Sequence, residues 1–315
     1  MSAPAVSVII PTFNRRAMVR QAIASVTAQT ERNFELIVVD DGSSDGSSEL
    51  LEALADGCAP KRSCLRFERI ENRGPAGARN HGLAKARGHY TAFLDSDDLW
   101  KEDKLARQLK LMVSRECAIS QTQEIWIRDG RRVNPGLRHR KLSGDIFAES
   151  LRTCLISPSA AMIETRVLRE AGGFDERMRA CEDYDLWLRL LRDNQADLLD
   201  DALVIRRAGH PDQLSTTTPA LDRYRILALT KLIVNGGLSA ERRLRGLAVL
   251  AEKCAVYGCG LRRRKRDIEA DLFEGIASQA LARPTAESWP DQGLVEQIAK
   301  AISLQHDTNP GDAGL

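Results

Sequence analysis

The sequence predicts an α/β fold: a mixed, mainly parallel sheet flanked by helices, with a C-terminal helical appendage. Three observations predict it. Short apolar runs, Val6-Ser7-Val8-Ile9-Ile10, Leu36-Ile37-Val38-Val39 and Tyr90-Thr91-Ala92-Phe93-Leu94, each stop at a polar cluster, as strands buried on both faces do. Between the first two, Val19, Ala22, Ile23 and Val26 recur at helical spacing, so a crossover helix joins parallel strands. After about Pro219 the strand texture gives way to helical periodicity.

Each element follows in order. The first strand stops at Pro11-Thr12-Phe13-Asn14, and proline suits a strand end because it donates nothing to a ladder. The second stops at Asp40-Asp41, with the turn chemistry of Gly42-Ser43-Ser44 behind it. The third closes on Asp95-Ser96-Asp97-Asp98. Three strand ends thus offer polar groups to one rim, where open α/β sheets bind their ligands. Crowded carboxylates repel one another unless a cation or a ligand's donors hold them, and Mg²⁺ or Mn²⁺ is held by such oxygens together with substrate phosphates. A solvated acidic turn capping the next helix is the competing reading.

Lys101 to Val113 reads as a helix with Leu105, Leu109 and Met112 on one face. Cys117 to Ile127 alternates polar and apolar residues, and Asp129-Gly130 is a hairpin turn, so the sheet becomes mixed here. The stretch 131–145 is rich in Arg, His, Pro and Gly and reads as a mobile loop, its basic residues either solvated or meeting phosphate. Glu182 to Leu191 is amphipathic, with Leu186, Trp187 and Leu190 inward and Arg189 and Arg192 outward. Three further helices, Tyr224–Val234, Ala240–Val256 and Lys265–Ala282, are separated by Asn235-Gly236-Gly237 and Gly258-Cys259-Gly260. From Pro284 periodicity is lost and the end is expected to fray.

Composition narrows the classes. A net charge of +2 gives no bulk reason to expect nucleic acid as a partner. Seven cysteines without paired Cys-x-x-Cys spacing indicate reduced thiols rather than a disulfide framework or a zinc site. No apolar run approaches the length of a membrane span, and no leader is read at the N-terminus, so a cytoplasmic protein is expected. Arg262-Arg263-Arg264-Lys265-Arg266 is read first as a solvated face. Contact with anionic headgroups on the inner face of the membrane, a peripheral association, is the sharper alternative.

Several blocks occur in a fixed order: Val8-Ile9-Ile10-Pro11-Thr12-Phe13-Asn14, Ile37-Val38-Val39-Asp40-Asp41-Gly42-Ser43-Ser44-Asp45, Asn72-Arg73-Gly74 with Ala78-Arg79-Asn80, Phe93-Leu94-Asp95-Ser96-Asp97-Asp98, Gly172-Gly173-Phe174-Asp175-Glu176 and Glu182-Asp183-Tyr184-Asp185-Leu186-Trp187. Each is weak alone. Together, over roughly the first two thirds of the chain, they resemble the family-two glycosyltransferases, which have a GT-A fold. The resemblance implies a catalytic domain over 1–218, with a nucleotide-binding half over 1–98 and an acceptor half over 99–218. A helical region over 219–300 and a flexible tail over 301–315 follow. Two departures matter. Cys181 stands where relatives often carry glycine, and the Gln-x-x-Arg-Trp motif of processive synthases is missing, so single addition is expected.

The resemblance also implies roles. The donor is a nucleotide-diphosphate sugar, UDP-linked by default, and the acceptor a hydroxyl on a glycan, lipid-linked glycan or protein, in cell-surface polysaccharide assembly. Mn²⁺ or Mg²⁺ stabilises charge on the leaving diphosphate, with Asp97 as direct ligand and Asp95 on ribose hydroxyls or a metal-bound water. Ser96 lies within the same motif, Asp40 contacts the base, and Pro11, Thr12, Phe13 and Asn14 pack beside base and ribose. Arg79 reaches base or phosphate, or is a surface helix arginine. Asp98 is read as the cap of the following helix. His210 either ligates the metal or contacts the diphosphate, with a plain loop histidine as the alternative. Asp183 is the general base and Glu182 orients the acceptor or holds the loop, both at a helix start whose dipole favours ionised carboxylates. One base and direct displacement imply inversion. Two rivals stand beside this reading: a sugar-phosphate nucleotidyltransferase, disfavoured because the first loop lacks glycines, and a non-catalytic nucleotide-sugar binder.

Overall fold

The computed structural model describes residues 3–56, 65–136, 139–209, 218, 220–282 and 289–303. It divides into two compact units, one of Met1–Phe147 with Thr153–Gln213, the other of Ala148–Arg152 with Leu214–Leu315.

The first unit is built on a nine-stranded mixed sheet. Strands β1 (Val6–Thr12), β2 (Phe34–Asp40), β3 (Leu65–Arg69) and β4 (Tyr90–Phe93) are parallel, in the spatial order β3-β2-β1-β4. Every residue of β1 and β2 is buried, which explains why their apolar runs are continuous rather than alternating. Register pairs Thr12 with Asp40 and Ile9 with Phe93. The polar ends of the three strands therefore lie along one rim. Between them run α1 (Arg16–Thr27), α2 (Ser47–Asp56) and α3 (Gly74–Lys85). The edge strand β3 has no counterpart among the predicted elements, because only Leu65 of its five residues is buried and its charges hide the pattern.

Beyond β4 the sheet turns mixed. After β5 (Leu99–Trp100) and α4 (Lys104–Arg115), β6 (Ile119–Arg128) forms a hairpin with β7 (Arg131–Val133). Asp129 and Gly130 both take positive φ, as a two-residue hairpin turn requires. The short helix α5 (Phe147–Ser150) precedes β8 (Met162–Glu164), which pairs antiparallel with β4 and β6. Then come α6 (Thr165–Glu170), α7 (Glu182–Leu191) and β9 (Asp197–Ala208), which runs parallel to β6.

Gly74 and Pro75 open α3, where proline's missing N–H is harmless. Three sequence expectations need correction here. The stretch 131–145 starts as β7, and Lys141 is buried with Nζ 3.2 Å from Glu124, so that part is pinned. Arg189 is turned inward: its guanidinium donates to Asp185 at 2.9 Å, to the Ala171 carbonyl at 2.5 Å and to the Gly173 carbonyl at 2.7 Å. Asp98 caps nothing, because α4 begins six residues later and the Asp98 carboxylate is buried against Ser159 and Arg207.

The second unit is helical: α8 (Asp222–Val234), α9 (Ala240–Arg263), α10 (Asp267–Ala282) and α11 (Gln292–Ser303). The expected break at Gly258-Cys259-Gly260 does not occur. Gly258 instead lets α10 approach α9, since a Cβ there would lie 2.8 Å from Glu274 Cγ and 3.4 Å from the Ala270 carbonyl. The region after Pro284 does contain a helix, α11, which buries Leu294, Val295, Ile298 and Ile302. In the basic cluster, Arg262 is paired with Asp267, Asp271 and Glu274, and Arg266 with Glu269. No helix among the described residues is long and apolar enough to cross a membrane.

Candidate active site

The rim at the ends of β1, β2 and β4 is laced from its own loops. Asn14, at φ 51°, donates its backbone N–H to Ser43 Oγ at 2.8 Å and accepts from the Ser44 backbone N–H at 2.8 Å. Asp45 accepts from the backbone N–H of Arg16 and from Ser47, so one carboxylate ties the start of α1 to the start of α2. Asp41 accepts from the Arg73 backbone N–H at 2.8 Å and caps α3; burial still leaves its pKa raised. Asp40 is fully buried, with its carboxylate engaged by the Ser43 and Ser48 hydroxyls. Pro11 is buried, while Phe13 is 45% exposed beside it, a bare aromatic face at the rim. Thr12 Oγ1 is buried with no partner among the described residues.

Next to this lie Asp95, Asp97 and Asp98, one oxygen from each falling within 4.8 Å of the others. Ser96, between them, is buried. Ser159 fixes the motif, donating to Asp98 at 2.6 Å and accepting from the Asp95 backbone N–H at 3.1 Å. Burial, then the charges of Asp97 and Asp95, push the Asp98 carboxyl well above the usual range. The Asp95 and Asp97 oxygens are hard donors that could hold Mg²⁺ or Mn²⁺, while Asp98 is engaged by Ser159 and Arg207.

Arginines from distant parts of the chain meet these acids. Arg15 Nη1 lies 2.6 Å from Asp97 Oδ2. Arg207 donates its backbone N–H to Asp98 at 3.0 Å and its Nε to the Asp97 carbonyl. Arg206 stacks over Trp126, 4.7 Å from the ring centre. Burial opposes its charge, but Glu124, Asp98, Asp95 and Asp183 outweigh burial and raise its pKa. Glu124 is held down to about 2: burial opposes ionisation, and Lys141 and Arg206 overcome it.

Arg79 joins the two halves of the site. Its buried guanidinium donates to Asp95 at 2.8 Å and to Glu182 at 2.7 Å, and sits 5.2 Å from the Phe174 ring centre. Burial opposes its charge, and Asp95 and Glu182 raise its pKa in spite of that. Arg79 is thus neither a solvated surface arginine nor one whose terminal nitrogens lack a partner. Glu182 is buried, and its pKa is raised by burial against the pull of Arg79. Asp183 follows at the start of α7, accepting from its neighbour's backbone N–H at 2.7 Å and from the Cys154 thiol at 3.5 Å. Cys181 precedes the helix at φ 57°, a left-handed conformation that favours glycine. That accounts for the glycine expected there.

Of the residues singled out from sequence, Arg79 ties Asp95 to Glu182, with Ser96 and Asp97 following Asp95 and Asp183 following Glu182 along the chain, and Pro11, Thr12, Phe13, Asn14 and Asp40 line the neighbouring strand ends. His210 lies outside the described residues. Sequence reasoning missed Arg15, Arg206, Arg207, Ser159, Glu124 and Lys141. Only the pair Arg206-Arg207 left a signal, as two charges closing an apolar strand.

Comparisons with known proteins agree with this architecture. The family model described as glycosyl transferase family 2 matches residues 7–172, more than half of the chain. An uncharacterised glycosyltransferase of Rickettsia felis is 37% identical over 198 residues, 63% of this chain but 32% of that protein, so the chain spans about a third of that relative. The putative teichuronic acid biosynthesis glycosyltransferase TuaG of Bacillus subtilis is 36% identical over 192 residues, covering 60% of this chain and 73% of TuaG. Residues 1–349 of S. aureus TarS in complex with UDP-GlcNAc share the fold at a TM-score of 0.69 and 19% identity, covering 96% of this chain and 91% of that one. The mannosyltransferase PcManGT of Pyrobaculum calidifontis, in complex with GDP-Man and Mn²⁺, gives a TM-score of 0.56 at 20% identity, covering 98% and 89%. With a GT-A-type sheet, its acidic rim and a family match over most of that sheet, the chain belongs to glycosyltransferase family 2.

Proposed function

We propose that the protein moves one sugar, with inversion, from a UDP-linked donor to a hydroxyl acceptor in cell-surface glycan assembly. The observation that carries this reading is the buried Arg79 bridge between Asp95, in the acidic rim, and Glu182, beside Asp183. A donor-side carboxylate cluster and a base-side carboxylate pair then belong to one rigid constellation. TarS, solved with UDP-GlcNAc, and the E. coli UDP-Glc-dependent β-1,3-glucosyltransferase WfgD, 30% identical over 198 residues, support a UDP-sugar. TuaG supports a surface-polymer acceptor.

In this reading Phe13 and Asn14 flank the base and ribose, while Asp40, buried and engaged by Ser43 and Ser48, braces the turn and the start of α2 beside the base instead of touching it. Asp97, with Asp95, would hold Mn²⁺ or Mg²⁺, which would stabilise negative charge on the departing diphosphate. Arg15, Arg206 and Arg207 add fixed positive charge on the same side. Asp183 takes the acceptor proton as the hydroxyl attacks the anomeric carbon from the face opposite the diphosphate. Glu182, locked by Arg79, keeps the start of α7 in place. A base held on one side of the sugar and a leaving group on the other gives inversion.

The test is release of UDP from a donor panel, with and without Mn²⁺, in wild type, Asp97→Asn and Asp183→Asn. Asp183→Asn is expected to bind UDP-sugar normally and to transfer at least about a hundredfold more slowly. Asp97→Asn is expected to lose the Mn²⁺ response. Normal turnover by Asp183→Asn would remove the base assignment, and activity with nucleoside triphosphate plus sugar phosphate would favour nucleotidyl transfer instead.

A further inference from the structure

Between α10 and α11 the helical unit has a cavity of about 350 Å³ that is broadly open to solvent, at the low end of the size range of small-ligand sites. Its floor is apolar, with Ile276 and Leu294 buried, and Trp289 contributes an aromatic wall. Its rim carries Asp271, Gln279, Asp291 and Gln297, all exposed. Gly275 also lines it, in the interior of α10. Glycine is among the poorest residues for a helix interior, and packing does not demand it here, because a Cβ at 275 would meet nothing within 4 Å. Its φ is not positive either. A helix-weakening residue with no packing or backbone reason, placed where a side chain would fill the cavity, leaves room there for an occupant.

The lining says what that occupant is. Among the described residues no Lys, Arg or His lines the cavity, and two carboxylates face it, so phosphates and other anions are disfavoured. Part of each carboxylate is already engaged: Asp271 accepts from Arg262 at 2.7 Å, and Asp291 accepts from the Leu294 backbone N–H at 2.9 Å. Among the described residues they belong to no three-acid metal cluster. What remains is an aromatic face with side-chain amides and carboxylate oxygens around it. The negative face of an indole attracts weakly positive C–H edges. Amides and carboxylates together donate to and accept from hydroxyl groups. A pyranose presents both features at once, an apolar C–H face and a ring of hydroxyls.

We propose that this cavity is a saccharide-binding site, which holds a neutral glycan chain on the helical unit. Only its purpose, retention of a glycan acceptor, rests on the glycosyl-transfer reading; the binding itself does not. The test uses the full chain without nucleotide or metal, probed by saturation-transfer NMR with maltotetraose and chitotetraose. At least one tetraose is expected to bind, and Gly275→Leu, which fills the space, to weaken it at least about tenfold. Trp289→Ala is expected to do the same. Should that variant not fold, the exposed pair Gln279→Ala with Gln297→Ala serves in its place. Calorimetric binding of UDP with Mn²⁺ is expected to be unchanged in all of them. Failure of both tetraoses to bind, or binding that survives Gly275→Leu, overturns the proposal. Loss of UDP binding in wild type, with tetraose binding intact, would count against the catalytic reading instead.

Discussion

Replacing Arg79 by leucine tests the connection between the two halves of the site. The substitution removes two ion pairs, at 2.8 and 2.7 Å, from a side chain only 6% exposed. Asp95 is 30% exposed and can be rehydrated, but Glu182, at 6%, is left as a buried carboxylate without its cation. Breaking a buried pair from one side costs about 3–5 kcal/mol, enough to lower the melting temperature of a domain this size by roughly 10 °C. The pH dependence follows from Glu182. Burial already raises its pKa in the folded protein, and Arg79 pulls the other way. An acid whose folded pKa is raised gives its full stability below the unfolded pKa and loses it as pH rises through the folded pKa. Without Arg79 the folded pKa climbs further, so the variant is penalised at pH 8 and relieved at pH 5. Urea denaturation of wild type, Arg79→Leu, Glu182→Leu and the double variant at both pH values provides the assay. The double variant is expected to recover most of the loss, since a neutral apolar pair replaces a stranded charge. An equal penalty at both pH values, or strict additivity of the single effects, would refute the reasoning.

Three further outcomes are expected. Gly88→Ala places a Cβ 2.6 Å from the Val6 carbonyl carbon, a backbone atom of the central strand that has no room to yield, so a loss of about 1–3 kcal/mol is expected in chemical denaturation. Lys104 is fully buried with Nζ unpartnered among the described residues and 3.8 Å from the Trp100 ring centre. Burial alone lowers its pKa well below that of a free lysine; a depressed folded pKa means stability is lost as pH falls. Lys104→Met is therefore expected to stabilise by about 1 kcal/mol or more, with the gain larger at pH 6 than at pH 10; a gain independent of pH would count against it. Burial, then the nearby Asp183, push the Cys154 thiol well above its ordinary range, whereas Cys259 is exposed. Iodoacetamide at pH 8 should label Cys259 well before Cys154, as peptide mapping by mass spectrometry would show.

What could be read from sequence, and what could not, divides along a physical line. β1, β2 and β4 announce themselves because burial on both faces writes continuous apolar runs, and their polar ends mark the rim. The edge strand β3 is silent because it buries so little. Helix interruption was misjudged at Gly258 and Gly260, since a glycine that admits a neighbouring helix looks the same in sequence as one that ends its own. The acids singled out from sequence sit in compact motifs; Glu124 and three of the four arginines beside them do not. Arg15 precedes α1, and Arg206 and Arg207 close β9, some hundred residues beyond Asp97 and Asp98. Even Arg79, found in a motif, has partners 16 and 103 positions away, which its neighbours in sequence do not reveal. This asymmetry has a cause. Carboxylates that share a cation must converge within a few ångströms, and one short turn at a strand end does that. Cations that balance them need only reach the same space, and long arginine side chains reach it from any element that ends nearby. An acidic motif at a strand end therefore identifies half of such a site, and only the fold supplies the other half.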